Sequence, residues 1–387
     1  MSDTVLPRAG VRDTVTDREI TRQPEVWREA AGIVRKHRQA LDDFLGPLLA
    51  KGDLRIVLTG AGTSAFIGEI AAPALRARLA RRIEAIATTD LVSHPTAHLA
   101  EDVPTLLVSF ARSGNSPESN AATDIADQLL GDVSHLVLTC NADGALFAAH
   151  RDQPDSFVLL MPERSDDAGF AMTSSFTSML LSALLVFLGD DAGVVESLAE
   201  AAGDVIGARA DLEALAARDP RRIVYLGSGP LTGLARESAL KLLELTAGKV
   251  VAYHDSALGF RHGPKAVLDG ESLAVVYVSS DPYSRQFDED IVAELRTSLG
   301  HDGVLTVSER PLTIDAGPGL VLPSLRGLDD AYLAVAYVVF AQLFALHSSV
   351  RLGLTPDNPF PDGNVNRVVK GVRIHPLPQR HDRKGDQ

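Results

Sequence analysis

Two short segments open alike, at an offset of 167 in the numbering: Ile56–Gly62 reads IVLTGAG and Ile223–Gly229 reads IVYLGSG. The same offset carries Ile83–Asp90 (IEAIATTD) onto Val250–Ala257 (VVAYHDSA), Leu106–Ala111 onto Leu273–Val278, and Val137–Cys140 onto Val304–Val307. Four apolar runs in one register predict a duplicated unit. Between them lie stretches of helical composition, such as Ser116–Leu130 and Pro230–Thr246. Short, wholly apolar strands alternating with helices predict parallel sheets covered on both faces. The chain is therefore read as α/β, with two tandem doubly wound parallel-sheet lobes over 51–200 and 201–350. A helical extension (1–50) precedes them and a tail (351–387) follows. In such sheets, ligands bind outside the carboxyl ends of the strands.

With 387 residues, 45% hydrophobic and 23% charged, the chain has the balance of a core-forming protein of about two domains. Thirty-seven basic against 51 acidic residues leave a net charge of −14. That field repels a phosphate backbone and argues against a nucleic-acid partner. A small anion held by a few local donors remains compatible with it. Cys140 is the single cysteine, so an intrachain disulfide and a Cys-based zinc site are excluded; it falls in an apolar run and is expected in the core. The opening segment Met1–Ala30 has no secretory apolar run. Ala331–Leu346, the most apolar stretch, contains Gln342 and falls short of the roughly 20 apolar residues a membrane span needs, so it reads as a buried helix. A cytoplasmic protein without a membrane partner is expected. Pro24–Leu49 reads as helical, with Val26, Ala30, Ile33, Val34, Leu41, Phe44 and Leu45 on one face. The Pro-, Gly-, Asn- and Asp-rich tail from Arg351 is either folded over a site or solvated, and composition favours the solvated end.

Two loops could hold an anion. Gly60-Ala61-Gly62-Thr63-Ser64-Ala65 is a tight strand-to-helix turn that brings backbone N–H groups toward a ligand. It also fits the G-x-G-x-x-A variant of a dinucleotide fingerprint, for which the required acid would be Glu84, at the start of the next strand rather than its end. The second loop follows the third apolar run: Arg112-Ser113-Gly114-Asn115-Ser116-Pro117. Ser113, Asn115 and Ser116 supply side-chain donors, Gly114 frees the backbone, and Pro117 suits a first helical position. Hydroxyls at a helix start suit a phosphate monoester; the same pattern also describes a plain capped helix. In the second lobe the offset sets Asp281 on Gly114 and Pro282 on Asn115, which adds a negative charge and removes a donor.

Glu237, Lys241 and Glu244 share one helical face, and the leucines around them indicate a largely buried helix. A helix running from Gly229 to Glu244 is about 22 Å long, so Glu244 serves a site between lobes or between subunits rather than the loop that opens its own lobe. His262 sits on a Gly-Pro turn, where an imidazole is exposed and positionable. A carboxylate and an imidazole together suit proton transfer near neutral pH. His94 and His98 have helical metal-pair spacing, but Pro95 between them and the lack of a further ligand argue against a metal.

The motifs TGAGTS, SFARSGNS and LARESALKLLELT…GFRHGP resemble the sugar isomerase (SIS) domain family, as in the isomerase half of glucosamine-6-phosphate synthase. The TDREITRQPEVW start and the NPFPDGNVNRVVKGVRIHP tail are similar to its galactosamine-6-phosphate deaminase branch, also called tagatose-6-phosphate ketose/aldose isomerase. The resemblance implies flavodoxin-like lobes and a cofactor-free amino-sugar-phosphate deaminase/isomerase without a metal. It sets Ser113 and Ser116 at phosphate-binding positions with Gly114, Asn115 and Arg112, and Gly62, Thr63 and Ser64 at the sugar. Glu244 matches the base that moves a proton between C2 and C1, His262 the ring-opening histidine, which in the family can come from a neighbouring subunit, and Lys241 joins them in the catalytic set. Ala111 stands where the isomerase half has a further serine, for which Arg112 compensates. Lys370 is a candidate for that enzyme's tail lysine. A homo-oligomer, dimer or tetramer, is implied. Competing readings are a plain ketose/aldose phosphate isomerase, a sugar-phosphate-sensing regulatory protein, and a nucleotide-dependent enzyme.

Overall fold

The structure is a computed structural model that describes residues 11, 14–189, 191–315, 317–369 and 371–378. Helices α1 (Val15–Thr21), α2 (Gln23–Lys36) and α3 (Arg38–Leu49) form the extension. The helical stretch expected over Pro24–Leu49 is two helices, broken at His37 (φ −95°, ψ 4°). Its apolar face holds: Val26, Ala30, Val34, Leu41 and Leu45 are buried, with Ile33 and Phe44 packed beside them.

The first lobe runs β1 (Arg55–Thr59), α4 (Thr63–Leu79), β2 (Arg82–Ala85), α5 (Thr88–Ser93), α6 (Pro95–His98), β3 (Thr105–Ala111), α7 (Pro117–Leu129), β4 (Val133–Thr139), α8 (Ala145–His150) and β5 (Ser156–Leu160). Three helices, α9 (Ser174–Leu188), α10 (Ala192–Gly207) and α11 (Arg209–Ala217), lead to the second. That lobe runs β6 (Arg222–Gly227), α12 (Pro230–Leu245), β7 (Val251–Asp255), β8 (Ser272–Tyr277), α13 (Pro282–Leu299), β9 (Val304–Ser308), β10 (Gly319–Val321) and α14 (Asp330–Arg351). Both sheets are five-stranded and parallel, ordered β2-β1-β3-β4-β5 and β7-β6-β8-β9-β10. The order 2-1-3-4-5 is the flavodoxin-like doubly wound arrangement in each lobe.

The duplication holds, but its offset is not constant. Arg55 pairs with Arg82 and Arg222 with Val251, so the second strands are offset by 169 rather than 167. Leu107 pairs with His135 and Ala274 with Val304, which shifts the fourth strands equally. A slip of two residues keeps each side chain on its own sheet face, which is why the apolar runs still aligned. At the helix after the third strand the slip reverses: the N-cap residues are Ser116 and Asp281, an offset of 165. Asp281 therefore matches Ser116, and Pro282 matches Pro117, not Gly114 and Asn115. The first turns are nearly superimposable, with φ/ψ of 56°/−128° at Gly62 and 56°/−127° at Gly229. A Cβ at Gly60 would lie 2.6 Å from the Ser64 backbone, so this turn admits only glycine there.

One continuous apolar core joins the lobes, taking Ile56 and Leu58 from the first sheet and Ile223 and Tyr225 from the second. Its centre is α14, which has the length and hydropathy of a membrane span, yet 94% of its most apolar window is buried inside the protein. Cys140 is buried one residue past β4.

The tail corrects the expectation of a solvated end. Asp357 accepts from the N–H groups of Val15 and Thr16, each at 2.8 Å, and from the Thr16 hydroxyl at 2.7 Å, pinning the start of α1. Phe360 packs on Phe170 with ring centroids 5.2 Å apart, and Leu377 accepts from Gln128. Composition marked irregular backbone; long-range partners make it ordered.

Candidate functional site

The loop between β3 and α7 lies at the carboxyl end of the first sheet. Pro117 opens α7, and the side chain of Ser116 at the N-cap takes no backbone N–H of the helix; its hydroxyl shares a 2.6 Å hydrogen bond with that of Ser119. The positive end of the helix thus stays open to an anion. Gly114 takes φ +64°, and its carbonyl accepts from Leu146 N–H and Asn120. Asn115 Oδ1 accepts the Ala145 N–H at 3.0 Å and ties the loop to α8. Ser64, Arg112, Ser113, Gly114, Ser116 and Ser119 line a cavity of about 110 Å³. That is the space of about three or four waters, the scale of one phosphate group.

Arg112 forms the inner wall, only 6% exposed. It donates to the carbonyls of Phe170 at 3.3 Å and Arg367 at 3.1 Å. Burial and then the Arg367 charge lower its pKa. Arg367, Val368 and Val369 of the tail close the cavity from outside. The supporting loop is held by two buried acids. Asp167 caps α9, accepting from Thr173, Ser174 and Ser175 backbone N–H groups and two of their hydroxyls. Glu19 of α1 accepts from Ala168 and Gly169 N–H, and burial, then Asp167, raise its pKa to about 7.

The second lobe reaches this region through α12, which packs antiparallel to α4. A Cβ on Gly233 would lie 2.9 Å from Ile70; Arg236 bonds Glu69 at 2.5 Å and stacks over Phe66 at 4.7 Å; and the Thr63 hydroxyl, at the start of α4, acts on Glu237. Beyond that point α12 overshoots the start of α4, and both Lys241 and Glu244 come within electrostatic reach of Arg112. Lys241 is fully buried, hydrogen-bonded to Glu244 and 3.6 Å from Glu237. Burial works against its charge, but the two carboxylates outweigh burial and raise its pKa. Glu237 is also fully buried, with neither oxygen hydrogen-bonded. Burial lifts its pKa to about 8, against the pull of Lys241. Glu244 keeps 23% of its side chain exposed and is the open end of this row.

Other expected residues stand apart. Gly62 and Thr63 are at the start of α4 but do not line the cavity. His262 is exposed after a single turn, Gly259–Arg261, and is not a cavity residue. Lys370 lies outside the described residues. Glu84 bonds the buried Arg55 at 2.5 Å and Arg82 at 3.2 Å, so the acid required by a dinucleotide site is already engaged. His94 and His98 flank and end the short α6, and among the described residues no three His, Cys, Asp or Glu side chains gather as a metal site. In the second lobe, Asp281 caps its own helix at Tyr283 and Ser284. Asp330 accepts from the Ser279 hydroxyl at 2.6 Å and from Ser280 N–H at 2.7 Å and hydroxyl at 2.9 Å. The counterpart of the first-lobe loop thus carries the protein's own carboxylates, Asp281 and Asp330, which line a cavity of about 450 Å³ with Ser280, Ser284 and Arg310.

Residues 48–189 match the SIS domain model. A Streptomyces coelicolor chain provisionally named D-galactosamine-6-phosphate deaminase AgaS is 58% identical over 94% of this chain and 95% of its own length. The D-galactosamine-6-phosphate deaminase AgaS of Escherichia coli is 46% identical over 97% of this chain and 99% of its own. The crystal structure of tagatose-6-phosphate ketose/aldose isomerase from Escherichia coli superposes with a TM-score of 0.88 at 45% identity, covering 96% of this chain and 99% of that one. Together with the two flavodoxin-like sheets and the serine-lined loop, these matches establish that the chain belongs to the SIS-domain sugar isomerase family, in the branch of the AgaS deaminases.

Proposed function

We propose that this protein is an amino-sugar-phosphate deaminase/isomerase that converts galactosamine 6-phosphate to tagatose 6-phosphate and ammonia. One observation carries the reading: α12 of one lobe extends Glu244 toward Arg112, the inner wall of a phosphate-sized cavity in the other. The phosphate anchors on the hydroxyls of Ser113, Ser116 and Ser119, the open end of α7 and Arg112. Gly62, Thr63 and Ser64 border the sugar. In the open-chain aldehyde, with the substrate's amine as the ammonium, Glu244 takes the C2 proton while an ammonium proton passes to O1, leaving an enolamine, and Glu244 returns its proton to C1. The resulting C2 iminium adds water and expels ammonia, which leaves the C2 ketone. Lys241, hydrogen-bonded to Glu244 with Glu237 beside it, keeps a cation next to the base and the charge that develops on O1 as C2 loses its proton. No step calls for a redox cofactor.

His262, exposed on its turn with Leu258 46% exposed beside it, fits ring opening in the site of a neighbouring copy within a homo-oligomer. General acid–base catalysis supplies about 10²–10⁴-fold, so orientation through the anchored phosphate supplies much of the remainder. The sensing alternative keeps the loops but has no use for a proton-transfer row on α12.

The test is ammonia release from galactosamine 6-phosphate against glucosamine 6-phosphate, with wild type and Glu244→Gln. The expected result is release from the galacto epimer and a kcat loss of about 10²–10⁴-fold in the variant. Ketose formation from an aldose phosphate without ammonia from either amine would make it a plain isomerase. Normal turnover by Glu244→Gln would remove that residue from the base role.

A further inference from the structure

Arg367 belongs to the tail motif, far in sequence from the serine-rich loop, yet it lines the same cavity as Ser113, Ser116 and Ser119. Its backbone carbonyl accepts from Arg112, and its guanidinium donates to the Asp167 carbonyl and sits 3.5 Å from the Asp166 carboxylate. Two guanidinium groups thus meet at one small cavity, and the Arg367 charge disfavours that of Arg112. Asp166, Asp167 and Glu244 are the carboxylates that act on Arg112. The Asp167 carboxylate is directed at the first turn of α9. The Asp166 side chain is 40% exposed, and burial raises its pKa against the pull of Arg367 and Arg112. The cavity itself brings Arg112 and Arg367 beside three hydroxyls and a helix N-terminus. A phosphate monoester carries about −1.5 to −2 at pH 7, and guanidinium groups bind it through two parallel N–H bonds.

We propose that Arg367 is the second guanidinium of the phosphate site, and that the substrate's phosphate dianion is the charge that holds the tail against Arg112. This rests on the reading of the first-lobe loop as the phosphate site. Binding the 6-phosphate then does two things at once: it anchors the sugar and draws the Arg367–Val369 segment closed over the phosphate. Asp166 is the competing partner that keeps Arg367 near the cavity in the absence of phosphate.

The experiment is calorimetric titration of the full chain with inorganic phosphate, together with hydrogen exchange of the tail amides at 365–369. In the wild type, phosphate should slow that exchange. Arg367→Gln should weaken phosphate binding about 10-fold or more, the scale of one hydrogen bond to a charged group, and abolish the protection; Arg367→Lys should restore part of both. Asp166→Asn separates binding from scaffolding, because it breaks the ion pair but frees Arg367. It should bind phosphate at least as tightly as wild type, whereas a merely structural role predicts that both variants weaken binding alike. Phosphate affinity unchanged in Arg367→Gln, or tail exchange indifferent to phosphate in the wild type, would overturn the proposal. Ammonia release is a separate readout: its absence with intact Arg367-dependent phosphate binding would refute the reaction and leave this inference standing.

Discussion

Glu237 contrasts with Glu244 although both stand on one face of α12. Enclosed by protein, with its nearest cation 3.6 Å away, it titrates at about 8 rather than near 4.5. Folding therefore takes up a proton at Glu237 whenever the pH lies between those values. The sign follows: a raised carboxyl pKa gives most stability below about pH 4.5, and that contribution is lost as pH rises to about 8. Glu19, at about 7, and Asp288, raised by burial to about 6, add to the decline at lower pH. Glu237→Gln, which keeps the shape without the charge, should flatten the fall in urea midpoint between pH 7 and pH 8. An unchanged slope would mean that Glu237 is ionised in the folded protein. The i, i+4, i+7 spacing made this row visible in the sequence. Which of its two acids is sealed and which is open depends on where α12 crosses α4, and no local pattern encodes that. Ser119, one turn after Ser116, was within reach of the same periodicity argument, whereas Arg367 stood in the tail motif with nothing local to tie it to the first-lobe loop.

Among the elements, α1 and the tail depend on each other. Asp357 takes three hydrogen bonds from the first turn of α1, and Glu19 of the same helix holds the loop behind Arg112. Asp357→Ala should cost about 1–2 kcal/mol, as for loss of a helix cap. The same change should raise KM for the sugar phosphate, because it loosens the tail that closes the cavity. A urea midpoint and a KM measured on the same variant check both; lower stability with an unchanged KM would uncouple tail and site. Strands and capped helices were legible because continuous apolar runs and Pro or Ser boundaries are local. The tail was not, because an irregular segment of Pro, Asn and Asp looks the same whether solvated or docked; its order comes from partners near the opposite end of the chain, such as Thr16 for Asp357.

At the scale of the molecule, duplication made two similar lobes whose third loops differ in charge. The first kept serines and an uncapped helix; the second has Asp281 and Asp330 at its loop, and α12, the helix after its first strand, packs on α4. The repeat was readable from apolar runs, since a two-residue slip preserves the pleat. The slips themselves were not readable, so the loop equivalences drawn from a constant offset failed at Asp281. The need for Glu244 to work away from its own loop followed from helix length alone, and antiparallel packing on α4 supplies the physical answer.

The most direct measurement is a crystal structure of the protein with tagatose 6-phosphate bound. The account predicts phosphate among Ser113, Ser116, Ser119 and Arg112, with C1 and C2 about 3–3.5 Å from the Glu244 carboxylate, the spacing of a reactive geometry. Phosphate bound at another site, or C1 and C2 out of reach of Glu244 while the ligand is fully occupied, would contradict it.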